Sequence, residues 1–191
     1  MDDLSHWIAE LRSGDDERAE VAAQRLGEIG MAALEDVGRL LQSPLEDERW
    51  WAARALAEIP DPGAEDLLLT GLSDPEPAVR QAAALGLYRH YSAQGVPALV
   101  AALDDPDSMT ADLAANALIQ RGAGAVEALL EVMGGGSQRA RLGAVRALAE
   151  IRDGRAIPAL MKALDEDSAL MEYWAQEGLE RLGVGMMFFK P

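Results

Sequence analysis

Two histidines, His6 and His90, are the first residues to consider for acid-base or metal chemistry. They lie far apart in the sequence, and neither forms a His-x-x-x-His or His-Glu motif that would hold a metal. The chain has no cysteine, which excludes thiolate ligands, disulfides and cysteine nucleophiles. We therefore expect no catalytic residue, no cofactor site and no metal site. His90 is interpreted as a partly buried imidazole with a polar partner, at the end of a helix.

Carboxylates and glycines are the other groups that could bind ions or phosphates. The acidic runs, such as Asp104-Asp105 and Asp165-Glu166-Asp167, fall mainly where turns are expected. A carboxylate in a turn caps the next helix or faces its N-terminus, and the second run lacks the spacing and glycine of an EF-hand. The triple glycine Gly134-Gly135-Gly136 is not followed by the lysine of a phosphate-binding loop. We interpret it as a flexible linker that gives slack between two helical units.

Two adjacent aromatic pairs, Trp50-Trp51 and Tyr173-Trp174, are the best candidates for binding residues. Exposed tryptophan and tyrosine side chains bury a large area at low entropic cost, so they often anchor protein interfaces. The pairs occupy equivalent positions of an internal repeat, and the other repeats have no aromatic residue there. We predict that at least one ring of each pair is exposed and binds a protein. The alternative is that both pairs fill gaps near the ends of the fold.

The repeat that positions these pairs is marked by alanine. Six alanines lie 30 or 31 residues apart, and a leucine follows each of them four positions later. The alanines are Ala22, Ala52, Ala83, Ala114, Ala144 and Ala175. A fixed period of this length is typical of one supersecondary unit stacked on copies of itself. A small residue at this position lets neighbouring helices approach closely.

Each repeat has the pattern of a helical hairpin. Apolar residues recur at helical spacing, as in residues 140–151, and a turn rich in glycine, proline or aspartate follows each first helix. A second amphipathic helix then begins. The predicted units are 15–45, 46–75, 76–106, 107–136 and 137–167, with a half unit at 168–183.

Two motifs of the repeat carry a family resemblance. The segment 74–83, Asp-Pro-Glu-Pro-Ala-Val-Arg-Gln-Ala-Ala, and the segment 152–160, Arg-Asp-Gly-Arg-Ala-Ile-Pro-Ala-Leu, resemble the short HEAT-like repeats of phycobilisome lyase proteins. The resemblance covers residues 15–183. It implies an all-α fold, an α-solenoid forming a right-handed superhelix of about five HEAT-like hairpins with terminal capping helices. The arginine typical of the family is present as Arg49, Arg80 and Arg141.

The two ends are predicted to differ from the repeats. Residues 1–14 contain an amphipathic helix that would cover the exposed flank of the first unit, as a solenoid requires. Residues 184–191 form an apolar tail that includes Met186-Met187-Phe188-Phe189. The tail is expected to fold back on the last helix, with a contact to another chain as the alternative.

The acidic second helices suggest a binding function without catalysis. Their predicted exposed residues include Glu35, Asp36, Asp66, Glu127 and Glu131. The chain has 33 acidic and 17 basic residues, a net charge of −16, which disfavours nucleic acid and anionic membranes as partners. We predict a non-catalytic protein interaction scaffold or adaptor that binds a basic or neutral protein partner.

Two other functions are alternatives to a scaffold. The family resemblance implies a bilin lyase-like or phycobiliprotein-handling subunit. A HEAT-like DNA glycosylase would need a basic groove, which the charge opposes. No apolar run is long enough to span a membrane, and the first residues lack the features of a signal peptide, so a cytoplasmic location is expected. The oligomeric state is left open.

Overall fold

The chain is helical throughout the part that the structure describes. A computed structural model describes residues 2–90, 92–166 and 168–184, and in these ranges it has twelve α-helices and no β-strand. The helices are Asp2–Leu11 (α1), Asp16–Ile29 (α2), Leu34–Leu40 (α3), Glu46–Leu56 (α4), Pro62–Gly71 (α5), Pro77–Leu87 (α6), Val96–Ala102 (α7), Ser108–Arg121 (α8), Val126–Gly135 (α9), Gln138–Ile151 (α10), Ile157–Ala163 (α11) and Ala169–Arg181 (α12). Short 3₁₀ turns lead into α3, α7, α9 and α11. The predicted all-α repeat fold is confirmed.

The chain divides into two compact units, Met1–Gly95 and Val96–Pro191. In the first unit, α2, α4 and α6 pack side by side in one layer, and α1 packs against α2. Helices α3 and α5 form the second layer of that unit. In the second unit, α8, α10 and α12 pack in succession, with α7, α9 and α11 against them. We call α2, α4 and α6 the first-helix layer.

The repeated alanines and leucines form the core of both units, as predicted. All six alanines are fully buried. Five of the six leucines are also fully buried, and Leu179 is 2% exposed. Burying a leucine side chain contributes about 1.5 to 3 kcal/mol, so these alanines and leucines are a main source of stability. We call them the buried ridge. The repeat period therefore matches the spacing of the buried positions along the chain.

The arginines that carry the family resemblance join each first helix to a turn. Arg49 donates two hydrogen bonds to Asp74, at 2.7 and 3.0 Å, and one to the backbone carbonyl of Ser43. Arg80 donates to the backbone carbonyls of Asp74 and Pro75. Burial alone would raise the pKa of Asp74, but the hydrogen bonds from Arg49 and from the backbone N–H of Glu76 hold this pKa below its ordinary value. These contacts stabilise the connection between successive hairpins.

The triple glycine ends a helix instead of providing slack. Gly134 and Gly135 belong to α9, and Gly136 is the residue that ends it. A Cβ atom added at Gly136 would lie 2.8 Å from the carbonyl oxygen of Val132, which leaves no room for a side chain. The interpretation as a slack linker is therefore wrong.

His90 is buried, and one of its two ring nitrogens has no polar partner in the described part of the chain. It lies just after α6 and is 9% exposed, and its Nε2 atom has no hydrogen-bond partner among the residues that the structure describes. The equivalent residue of the preceding repeat, Ile59, is fully buried and apolar. His90 thus occupies a position that suits a hydrocarbon. Asp167 and residues 185–191, including the apolar segment of the predicted tail, lie outside the described residues.

Candidate functional site

Trp50 and Trp51 line a groove of about 810 Å³ on the first unit. Its walls come from the turn between α1 and α2, the start of α2, the segment that enters α4, and the first turn of α6. The lining residues are Leu11, Arg12, Gly14, Asp16, Glu20, Leu45, Glu46, Asp47, Glu48, Trp50, Trp51 and Ala78. The groove therefore lies on the first-helix layer.

The two tryptophans lie at the boundary between the core and the surface of α4. They directly precede Ala52 and Ala53, which are fully buried. Both rings are only partly buried, and they meet edge to face with their centroids 4.7 Å apart. An aromatic ring in this position has one side packed against protein and another available to a ligand.

The groove is acidic, and part of its charge is unpaired. Glu20 forms an ion pair with Arg54, and Glu48 forms one with Arg12. Asp16, Glu46 and Asp47 are exposed, and no ion pair joins them to a basic residue in the described part of the chain. We call Asp16, Glu46 and Asp47 the groove carboxylates. They give the groove a net negative charge.

One basic side chain already lies in the groove. The Nε atom of Arg12 is 2.6 Å from Oε1 of Glu48, and the Ser43 hydroxyl donates to the other oxygen of the same carboxylate. The Ser43 hydroxyl lowers the pKa of Glu48, burial opposes this effect, and the hydrogen bond from Arg12 lowers the pKa further. Glu48 is therefore a carboxylate held ionised by neighbours, and the Arg12 side chain remains half exposed.

The second aromatic pair is in the other compact unit. Tyr173 and Trp174 lie on α12, with ring centroids 5.1 Å apart. Tyr173 is 53% exposed, Trp174 is partly buried, and Leu170 is exposed one turn earlier. Each pair is thus a candidate contact of its own unit.

The predicted acidic residues of the second helices do not line the groove. Glu35 and Asp36 lie on α3 and Asp66 on α5 of the first unit, whereas Glu127 and Glu131 lie on α9 of the second. Several of them are already paired within the chain. Arg39 forms an ion pair with Asp36 and lies 3.9 Å from Glu35. Arg155 is 2.9 Å from Glu127. These internal pairs reduce the charge that α3 and α9 offer to a partner.

Comparison with known proteins identifies the family. The model of HEAT repeats matches residues 37–119, 65–134 and 96–180, which together span most of the chain. The chain belongs to the HEAT-repeat family. The predicted HEAT-like resemblance is therefore confirmed. None of the curated proteins compared with it matches significantly.

Several solved structures resemble this HEAT-repeat chain. An engineered protein is 25% identical with a TM-score of 0.55, and the match covers 97% of this chain and 98% of that one. The complex of CpcE and CpcF of phycocyanin lyase from Nostoc is 24% identical with a TM-score of 0.56, over 94% and 77% of the two chains. A designed armadillo repeat protein, solved with the peptide (KR)4, is 20% identical with a TM-score of 0.55, over 94% and 99%. The last two similarities concern the fold alone.

Sequence reasoning found the tryptophans of the groove but missed its charged residues. Arg12, Leu45 and the groove carboxylates were not among the predicted site residues. The acidic triplet Glu46-Asp47-Glu48, which stands just before the tryptophan pair, was a signal that could have found part of them. Arg12 and Asp16 reach the groove from the neighbouring helices α1 and α2, so only the packing of the HEAT repeats reveals them.

Within the described residues, no group of three or more histidine, cysteine, aspartate or glutamate side chains could hold a metal ion. No α-helix in the same ranges is long and apolar enough to cross a membrane.

Proposed function

We propose that this HEAT-repeat chain is a non-catalytic protein interaction scaffold that contacts its partner through the groove beside Trp50 and Trp51. The observation that supports this function is the pair of partly exposed tryptophans that line a groove of about 810 Å³. Tryptophan is enriched among the few residues that supply most of the energy of protein interfaces. The repeat itself requires no large ring at this position.

The charge of the chain indicates the class of partner. With a net charge of −16, the scaffold attracts basic proteins and tolerates neutral ones, and the charge influences the rate of approach and the orientation of binding. Nucleic acids and anionic membranes carry charge of the same sign and are not expected to bind. The carboxylates of the second helices form a further proposed contact surface, on which Asp66 and Glu131 are exposed.

The proposal is tested by capturing the partner with and without the tryptophans. The full chain and a Trp50→Ala/Trp51→Ala variant would be used to capture proteins from the native cell, and the captured protein would be identified and purified. We expect the double variant to bind the purified protein at least about tenfold more weakly, because hot-spot residues contribute about 2 kcal/mol or more. Tyr88→Ala is the matched aromatic control, because Tyr88 is 38% exposed and does not line the groove.

Two results would contradict this function. The first is an affinity for the purified partner that is unchanged by the double substitution, with both proteins folded as judged by circular dichroism. The second is a partner that binds the Tyr88→Ala variant as weakly as the tryptophan variant, since this would show that loss of an exposed aromatic ring outside the groove has the same effect.

A further inference from the structure

The groove contains an arginine of the chain itself, and this shows which chemical group it accepts. Arg12 lies at the end of α1, and its guanidinium pairs with Glu48 beside the tryptophans. Its side chain is 51% exposed, while that of Glu48 is 13% exposed. A half-exposed arginine paired with a nearly buried carboxylate can be displaced without opening the core. The carboxylate is thus a preformed acceptor for a guanidinium.

The rest of the groove offers more acceptors than Arg12 uses. The groove carboxylates are all exposed and form no ion pair with a basic side chain in the described ranges. Trp50 and Trp51 are partly exposed at the groove, and an indole ring binds a cation over its face. Leu45 is 58% exposed at the same groove and offers an apolar contact. Carboxylates, indole faces and an aliphatic side chain are together complementary to arginine next to an apolar residue.

We propose that the groove binds an arginine-containing segment of the partner protein, and that Arg12 is an internal competitor for the same carboxylate. This inference rests on the scaffold function proposed above, because it names the partner chemistry of the same groove. An arginine of the segment pairs with the groove carboxylates and lies against a tryptophan face, and a neighbouring apolar residue contacts Leu45. A second arginine replaces Arg12 at Glu48.

A purely structural role for the carboxylates makes a different prediction. Asp16, Glu46 and Asp47 all lie in the first turns of α2 or α4, where a negative charge stabilises the helix dipole. If that were their whole role, their removal would lower stability and leave peptide binding unchanged. The two roles are therefore separated by measuring binding and unfolding on the same variants.

The direct test uses a short capped peptide that alternates arginine and leucine, titrated into the full chain by calorimetry. The matched probe is the same peptide with citrulline in place of arginine, which keeps the shape and removes the charge. We expect the arginine peptide alone to bind, and its affinity to decrease between about 0.1 and 1 M salt, where the Debye length falls from about 10 to 3 Å.

Matched variants separate the groove from the general negative charge of the chain. Glu46→Gln/Asp47→Asn should weaken binding about fivefold or more, because each exposed ion pair contributes up to about 1 kcal/mol. Glu172→Gln/Glu180→Gln removes the same charge from exposed positions of α12 in the second unit and should change affinity less than about twofold. Trp50→Ala should weaken binding by about fivefold through loss of the cation-π contact.

The competitor role of Arg12 gives a prediction of opposite sign. Arg12→Gln frees Glu48 and should tighten binding of the arginine peptide by about two- to fivefold, since the displaced pair is a surface ion pair. An unchanged or weaker affinity would refute this role.

The outcomes distinguish this inference from the broader function. If neither peptide binds, or if both acidic double variants weaken binding equally, the arginine site is wrong. If the purified partner still requires Trp50 and Trp51 for binding, the scaffold function remains supported. If that dependence is absent as well, the scaffold function through this groove is also wrong.

Discussion

The close approach of α2 to the end of α4 can be tested with one methyl group. Gly27 lies in α2, and a Cβ atom added there would be 2.6 Å from Cβ and 2.8 Å from the carbonyl oxygen of Glu58. Favourable carbon contacts lie at about 3.5 to 4.0 Å, so the overlap is about 1 Å. Because the oxygen belongs to the backbone, a rotamer change cannot relieve it. The helices must move apart instead.

Two opposing effects determine how much Gly27→Ala changes the free energy of unfolding. Overpacking of a tight contact costs about 1 to 3 kcal/mol, and a backbone overlap of this size favours the upper end. Alanine gains about 1 kcal/mol over glycine inside a helix. We therefore expect Gly27→Ala to lower the free energy of unfolding by about 2 kcal/mol, which corresponds to about 4 to 8 °C in melting temperature for a chain of this size.

The control is Gly134→Ala in α9, where nothing lies within 4 Å of an added Cβ atom. Only the helix propensity acts there, so we expect stability to rise by about 0.5 kcal/mol. Both variants would be unfolded with urea and heat and followed by far-ultraviolet circular dichroism. A Gly27→Ala protein that is as stable as the wild type, or more stable, would refute the close contact between α2 and the end of α4.

Three further predictions follow from the structure. The pKa of Asp74 is lowered in the folded protein, so its ionised form stabilises the fold above about pH 4, and this contribution is lost as the pH falls through the folded-state pKa. The urea unfolding of Asp74→Asn should therefore depend less on pH below about 4 than the unfolding of the wild type does. His90→Ile should raise the free energy of unfolding by about 1 kcal/mol, because it replaces a buried unpartnered nitrogen with the residue type found at Ile59, and a loss of stability in urea would contradict this. Adding an open-chain tetrapyrrole to the purified chain should leave the absorbance spectrum of the pigment unchanged, and a spectral shift would favour the bilin lyase-like alternative.

The helical framework could be predicted from the sequence because each hairpin repeats the same local pattern. The helix expected at residues 140–151 is α10, which spans Gln138–Ile151. The alanine spacing predicted the buried ridge because stacked repeats place equivalent residues in equivalent surroundings. Gly134 was misinterpreted, since glycines at the end of a helix and in a linker look alike in sequence.

The groove was only partly predictable because its residues come from different helices. Trp50 and Trp51 were found because they differ from the equivalent residues of other repeats. Arg12 and Leu45 show no such contrast, since they lie outside the regular helices that the repeat aligns. Their position at the groove depends on how α1 and α4 pack against α2. Periodicity cannot supply that information.

The position of the tryptophans within the repeat explains how a binding surface can vary without loss of the fold. They precede Ala52, the buried alanine of α4, and the equivalent residues of α2 are Glu20 and Val21. Glu20 lines the same groove and Val21 is 48% exposed, so the residues at this register of α2 and α4 form a short row outside the core, whereas Ala82 at the equivalent position of α6 is buried. Because the ridge is made by the alanine and the leucine that follow, side chains in this row can change while the packing of the ridge is kept.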